Sequence, residues 1–361
     1  MRNQTSTGIA TPKNRSTDVV SDFDESLFVS CIIAGGMGAG LLVPGLADAL
    51  APAVLSSLFV IVLSSLVPFR SMLSKELLNL NGSLLRVVGW LQLALPVLVY
   101  TLSIVLNVPK DILPFVLLSA CSGAVFASPA LAHLFGLDRG QAARIMILST
   151  VLMPISLSIF VGPLVGLDNL VAFEVFGMRV AFFLLLPFVF VLILRAFERL
   201  ANRNKEQHVQ EAASDRIDTY ATRVGMMALA VFAAGIMQGV AEGWANDPGF
   251  TIALFAGALT VNLGMMFATR LALHPLGSDV AHTASIIAMT RNVGLAYAMT
   301  ASFFGPSLAQ YVALCQVPLL IGPVVMRLHK GAADARVKRR EEEDAQAHLH
   351  HVAPATERSA I

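Results

Sequence analysis

Charge is what this sequence has least of. Only 14% of its 361 residues are Asp, Glu, Lys or Arg, whereas 56% are hydrophobic. A soluble domain of that size cannot hide so much apolar surface, which excludes the water-soluble classes and leaves a polytopic membrane protein. Cysteine is also scarce. Cys31, Cys121 and Cys315 are the only three, and each falls inside an apolar segment. No disulfide framework or thiolate metal site is therefore suggested. The first 24 residues lack an apolar stretch followed by a small-residue cleavage site, so a polar tail is expected there rather than a signal peptide.

What is abundant is apolar sequence in lengths that suit a bilayer, where a spanning helix takes about 20 residues. Ten such segments are expected: 27–46, 49–68, 84–106, 112–136, 141–165, 178–197, 221–241, 249–271, 278–302 and 305–327. With ten spans, one face receives both tails and the loops after spans 2, 4, 6 and 8. Of the 25 Lys and Arg residues, all but Lys110, Arg179 and Arg291 fall on that face or at its helix ends. The positive-inside rule then places both termini in the cytoplasm, in what is expected to be a bacterial inner membrane. The tail beyond Arg327 contains RVKRREEEDAQAHLHH and has too few apolar residues to fold alone. Its His348, His350 and His351 form a cluster that is more simply fortuitous than metal-binding.

The longest polar linker within the membrane region runs from Arg195 to Arg223 and separates the two halves. It assigns 25–197 to a first five-helix repeat, 198–220 to a cytoplasmic linker and 221–327 to a second repeat. Counted by spans, with the sixth beginning at 178, the division falls at about 170. Two halves with odd numbers of spans enter the membrane in opposite senses, which is the signature of an inverted repeat. The fourth span of each half is interrupted: at Gly123 and Ser128-Pro129 in the first, and from Thr290 to Gly294 in the second. Matching breaks in two inverted halves point to a transport site near the bilayer midplane. A plain kink is the simpler alternative.

Arg291 stands in the second break. No Lys, Arg, Asp or Glu follows it until beyond Met326. A charge near the middle of a span costs about 2.5–3.5 kcal/mol even on a lenient scale. Arg291 lies twelve residues past Asp279, or roughly 18 Å along a helix, so its head group reaches an interface only with difficulty. Every acidic residue falls in a tail, a loop or the last turn of a span, with Glu242 and Asp279 the nearest, so no carboxylate is expected at its depth. An anionic substrate could supply the countercharge, because a planar guanidinium suits a carboxylate bidentately, and helix N-termini at the breaks would add to the field. Alternatively, Arg291 staples carbonyls freed by a break.

The stretches ALTVNLGMMFATRLAL, ASIIAMTRNVGLAYAMTASFFG and CQVPLLIGPVV in the second half resemble the bile acid:sodium symporter family. So do WLQLALPVLVYTL and LLSACSGAVFASPALAHLFGLDRGQAARIMILSTVLMP in the first half. The likeness covers most of residues 27–327. It implies an all-α fold of ten transmembrane helices in two inverted five-helix repeats, divided into a panel and a core, with discontinuous helices 4 and 9 crossing where they unwind. The wider superfamily includes auxin carriers and arsenite permeases.

By the same resemblance, Gln92 matches a sodium-binding glutamine, Ser149 and Thr150 match a hydroxyl-bearing stretch, and Asn292 with Gly294 matches an Asn-x-Gly. The acid shared by both sodium ions corresponds here to Ile287, and the glutamine beside the Asn-x-Gly is Arg291. The family's Ser-Asn pair of span 4 is missing, with Ser128-Pro129 nearby after an insertion. Losing a carboxylate and gaining a guanidinium changes the local charge by about two units, enough to expel a hard cation. Sodium is therefore a doubtful coupling ion, and no other cofactor is expected.

These observations imply a secondary transporter of small organic anions, embedded in a lipid bilayer and without a nucleic-acid partner. The expected substrate-binding residues are Arg291, Asn292, Thr290, Asn262, Gln92 and Ser128. Gln92, Ser149, Thr150 and His282 are candidates for ion or proton coupling. Ordinary interhelical hydrogen bonding is the plainer role of Asn262 and Gln92, and a hydrogen-bonded place near the helix entrance that of His282. His133 is a weaker candidate, close to the membrane surface. The alternatives are a sodium symporter with a rebuilt ion site and a receptor without turnover. An intramembrane hydrolase, by contrast, would need a nucleophile paired with a base and an acid, which the spans do not offer. The run GGMGAG, residues 35–40, reads as a close-packing surface and not as a dinucleotide motif.

Overall fold

A computed structural model describes residues 30–43, 45–70, 81–165, 170–201 and 207–321. The polar N-terminal tail, the C-terminal tail with its histidines and the last turns of the tenth segment lie outside the described residues. Contacts divide the chain into Met1–Leu319 and Leu320–Ile361, and only Leu320 and Ile321 of the second unit are described.

Within the first unit the apolar segments become helices, and no strand forms among the described residues. Six are long and apolar enough to cross a membrane: α2 (Leu46–Phe69), α3 (Gly82–Val105), α5 (Arg139–Phe160), α6 (Val171–Ala201), α7 (Ala212–Asn246) and α8 (Pro248–Leu276). Two shorter apolar helices are α1 (Ser30–Leu42) and α10 (Ser307–Ile321). The remaining two segments are each split in two. They give α4a (Leu113–Cys121) with α4b (Ser128–Leu134), and α9a (Ser278–Met289) with α9b (Val293–Thr300). The protein is thus an all-α integral membrane protein. Its surface agrees, because α3 and α6 turn large apolar side chains such as Leu93, Val97, Ile104, Phe190, Ile193 and Phe197 outward, the reverse of a soluble fold.

The helix ends are set by local chemistry. Asn81 accepts from the Leu84 N–H at 2.8 Å, Asp138 from those of Gly140 and Gln141, and Asp247 from that of Phe250, with Pro248 in the first turn. Each carboxylate or amide satisfies donors that a helix start leaves bare. Two breaks are placed differently from the sequence expectation. Ser128 and Pro129 do not interrupt a helix; they begin α4b, where a proline is tolerated because the first N–H groups need no partner. Gly294 likewise lies inside α9b, and that break is confined to Thr290–Asn292. The linker read at 198–220 is largely helical, since α6 continues to Ala201 and helix resumes at Gln207.

The helices pack as two groups. In the first, α7 is lodged between α1 and α2, with α6 alongside α2. Gly36 and Gly40 of α1 lie against Ala233, Ala234 and Met237, and Gly225 and Gly235 of α7 receive Ser64 and Val54 of α2. Glycine is what permits these close approaches, so part of the GGMGAG run is a packing surface. At one end of this group Arg70, 4% exposed, bonds Glu198 Oε2 at 2.7 Å and Asp218 Oδ1, joining α2 to α6 and α7. Burial alone would lower the pKa of Arg70, but the hydrogen bonds and charges of the two carboxylates raise it above its ordinary value. The second group comprises α3, α4, α5, α8 and α9, with α4 and α9 at its centre, and α10 packs against α8 and α9b as well as against the end of α7.

Candidate functional site at a helix crossing

The two interruptions meet. Between α4a and α4b the chain leaves the helix at Ser122–Val125, and between α9a and α9b it does so at Thr290–Asn292. The two segments run antiparallel and pair about Ala124 and Arg291. The Val125 N–H donates to the Thr290 carbonyl at 3.0 Å, and the Asn292 N–H donates to the Gly123 carbonyl at 2.8 Å. Each break thus satisfies backbone that the other has freed, as burial away from water requires. The two bonds are related as by a two-fold axis. The Ala124 N–H donates to Ser149 Oγ at 3.1 Å, and Ser149 in turn donates to the Met146 carbonyl. Gly123 fits because a Cβ there would lie 2.9 Å from Thr150 Cα and 3.3 Å from its nitrogen.

Arg291 is 5% exposed and makes no ion pair among the described residues. Its Nη1 donates to the Ser122 carbonyl at 2.7 Å and its Nη2 to the Leu91 carbonyl at 2.9 Å. The first acceptor is freed by the end of α4a. The second is freed by Pro96. Over Trp90–Ala94 helix α3 widens by one turn, so that the Leu95 N–H reaches back five residues to Trp90. The next donor in that pattern would be residue 96, a proline without an N–H. The same proline deprives Gln92 of its ordinary helical donor, and Ser156 Oγ fills that place, donating to the Gln92 carbonyl at 2.8 Å.

Gln92 Nε2 also donates to the Ser122 carbonyl, at 3.3 Å. Two buried polar atoms at this crossing have no partner: Arg291 Nε and Gln92 Oε1. Four carbonyl oxygens at the crossing already accept hydrogen bonds. Ser122 has two, Leu91 has the guanidinium, and Gly123 and Thr290 are bonded across the crossing.

Of the residues singled out in the sequence, Arg291, Gln92, Ser149, Thr150, Thr290 and Asn292 meet here. Thr150 packs on Gly123 while its hydroxyl donates to the Met146 carbonyl. Thr290 Oγ1 donates to the Ile286 carbonyl, and Asn292 Oδ1 accepts from the Leu295 N–H at 3.0 Å, starting α9b. Ser128 Oγ donates to the Val125 carbonyl at 2.7 Å, next to the crossing.

Asn262 lies in a different buried cluster. Its side chain donates to the Ala258 carbonyl and sits beside Cys315, where Ser119 Oγ meets Tyr311 Oη at 2.8 Å. His282 pairs with Ser278 Oγ at 3.2 Å in the first turns of α9a. Pro96, Ser156 and Cys121, whose thiol lies by Ser156 and Arg291, were not expected from the sequence. The legible signal was the proline four residues after Gln92 in an otherwise helical run. No protein-family model matches this chain, and none of the curated proteins matches it.

Proposed function

We propose that this protein is a secondary transporter of small organic anions working by alternating access, with ten membrane-spanning segments in two inverted repeats and both termini cytoplasmic. The observation that carries the reading is the reciprocal crossing of two interrupted helices around a buried guanidinium. Broken helices buried at membrane depth belong to ion and substrate sites in transporters. The two-fold relation of the backbone bonds at Ala124 and Arg291 supports the inverted repeat. The packing of α2 with α6 and α7, and of α4 and α9 with α5 and α8, supports a panel and a core.

In this reading Arg291 stands in place of a coupling cation. Its positive charge braces the crossing through Ser122 and Leu91, and a sodium ion is not required there. The Nε–H, which has no acceptor, is left to face the anion once the core moves. Purified protein screened by thermal shift against carboxylates, sulfonates and bile salts, with and without sodium, tests this directly. A ligand of the folded state raises the melting point by mass action. Stabilisation by an anion, unaffected by sodium and lost in Arg291→Gln, is expected. Stabilisation that survives the substitution would remove Arg291 from the site.

A further inference from the structure

We infer that Arg179 is the latch of an outer gate, and that the structure is the inward-facing state of the cycle. The inference rests on the transport reading above. Helices of the two groups touch at several places among the described residues, and three of these contacts bear on a gate. In one, Gly294 of α9b lies against Leu58 of α2 and Phe232 of α7. In another, Gly239 and Gly243 near the end of α7 lie against Ala309 and Gln310 in the first turns of α10, and Gln310 is itself tied to Thr251 at 2.6 Å. The third is polar: Arg179 Nη1, early in α6, donates to the Ala298 carbonyl of α9b at 2.9 Å.

The Arg179 contact and that of α7 with α10 share a position, whereas Gly294 meets α2 and α7 beside the crossing. In the proposed ten-span topology, the start of α6, the end of α7, the start of α10 and the end of α9b belong to the face opposite the one that carries nearly all Lys and Arg residues, which that topology makes the outside. At the other face, Arg70 binds Glu198, Asp218 and Ser214, all within the first group. On this reading the Arg179 bond and the packing of α7 on α10 close the outer half.

Of the three contacts, only the Arg179 bond is charge-assisted. Ala298 lies in the last turn of α9b, where helix carbonyls run out of their own donors and a cation is favoured by the helix dipole. Arg179 supplies that cap from the other helix group. Because α9b begins at Val293, capped by Asn292 next to Arg291, the latched half-helix is the one that starts at the crossing. Opening to the outside must break this bond, and doing so releases the segment that carries the proposed anion site.

Accessibility of a buried cysteine measures the latch without any substrate. A reporter is placed by Ala298→Cys, with Thr300→Cys as a near-isosteric second reporter, both in a Cys31→Ser background. Ala298 is 0% and Thr300 1% exposed, and the remaining cysteines are buried. Full-length protein in right-side-out membrane vesicles is reacted with a membrane-impermeant maleimide, and total thiol after denaturation gives the normalisation. Adding Arg179→Gln is expected to raise the labelling rate from outside by about tenfold, the weight of one charge-assisted hydrogen bond. Arg179→Lys should restore part of the protection. Equal rates with and without Arg179 would overturn the latch, as would an increase confined to inside-out vesicles. A gated reporter in a protein that no anion stabilises would instead refute the transport reading and leave the gate standing.

Discussion

Replacing Arg291 with methionine separates a brace from a burden. The guanidinium contributes two charge-assisted hydrogen bonds, each worth about 1.5–3 kcal/mol. Against this stands the cost of holding a charge at membrane depth, about 2.5–3.5 kcal/mol on the lenient scale. In Arg291→Met the Ser122 carbonyl keeps its bond from Gln92, but the Leu91 carbonyl has no replacement donor because residue 96 is proline. The bonds less the burial cost leave from about zero to about 3.5 kcal/mol in favour of the guanidinium, and the orphaned Leu91 acceptor, which costs about 1–3 kcal/mol, makes a net loss the expected result. The same logic predicts a rescue. Pro96→Ala restores an N–H where both Leu91 and Gln92 lack one, so it should recover about 1 kcal/mol in the Arg291→Met background while changing the parent little. Denaturant titration of the four proteins in one detergent completes the cycle. An Arg291→Met protein as stable as the parent, or more so, would refute the reasoning, because the guanidinium would then be a net cost to the fold.

Other substitutions probe the same architecture. Gly123→Ala should destabilise by about 1–3 kcal/mol, since its Cβ meets Thr150 backbone rather than a movable side chain; a denaturation midpoint unchanged from the parent would count against the crossing as drawn. Gly40→Ala should lower the melting temperature, because Ala234 of α7 blocks the added methyl, whereas Gly35→Ala, with open space around it, should not. Equal effects of the two would contradict the α1–α7 packing. Arg70→Ala leaves Glu198 and Asp218, 20% and 33% exposed at their side chains, without their cation. Discounted for that exposure, the loss should be about 1–3 kcal/mol, with Arg70→Lys intermediate in the same titration.

Much of this was legible in the sequence because the controlling physics is local. Apolar runs of bilayer length fixed the helices, and Gly123 and the Thr290–Asn292 stretch marked the two breaks. The absence of acids near Arg291 showed that its charge would need other partners. What escaped was the identity of those partners. The Leu91 carbonyl becomes an acceptor only through the widened turn of α3 together with Pro96, and nothing at residue 91 itself announces it. Pro129 and Gly294 misled for the opposite reason: both read as breakers, yet each sits where a helix start tolerates it. Arg70 and Arg179 looked like interface charges. Their partners, Asp218 and the Ala298 carbonyl, lie more than a hundred residues away in the chain, beyond the reach of any local pattern.

A fixed guanidinium holds the crossing of the two interrupted helices through the Ser122 and Leu91 carbonyls, and on the proposed reading no metal ion is needed there. The most direct test of this requires no substrate: melting of the purified protein titrated with sodium chloride against potassium chloride at matched ionic strength. Superimposable curves are predicted, since the guanidinium already supplies the positive charge at the crossing and holds the Ser122 and Leu91 carbonyls. A saturable rise in melting temperature specific to sodium would contradict the account.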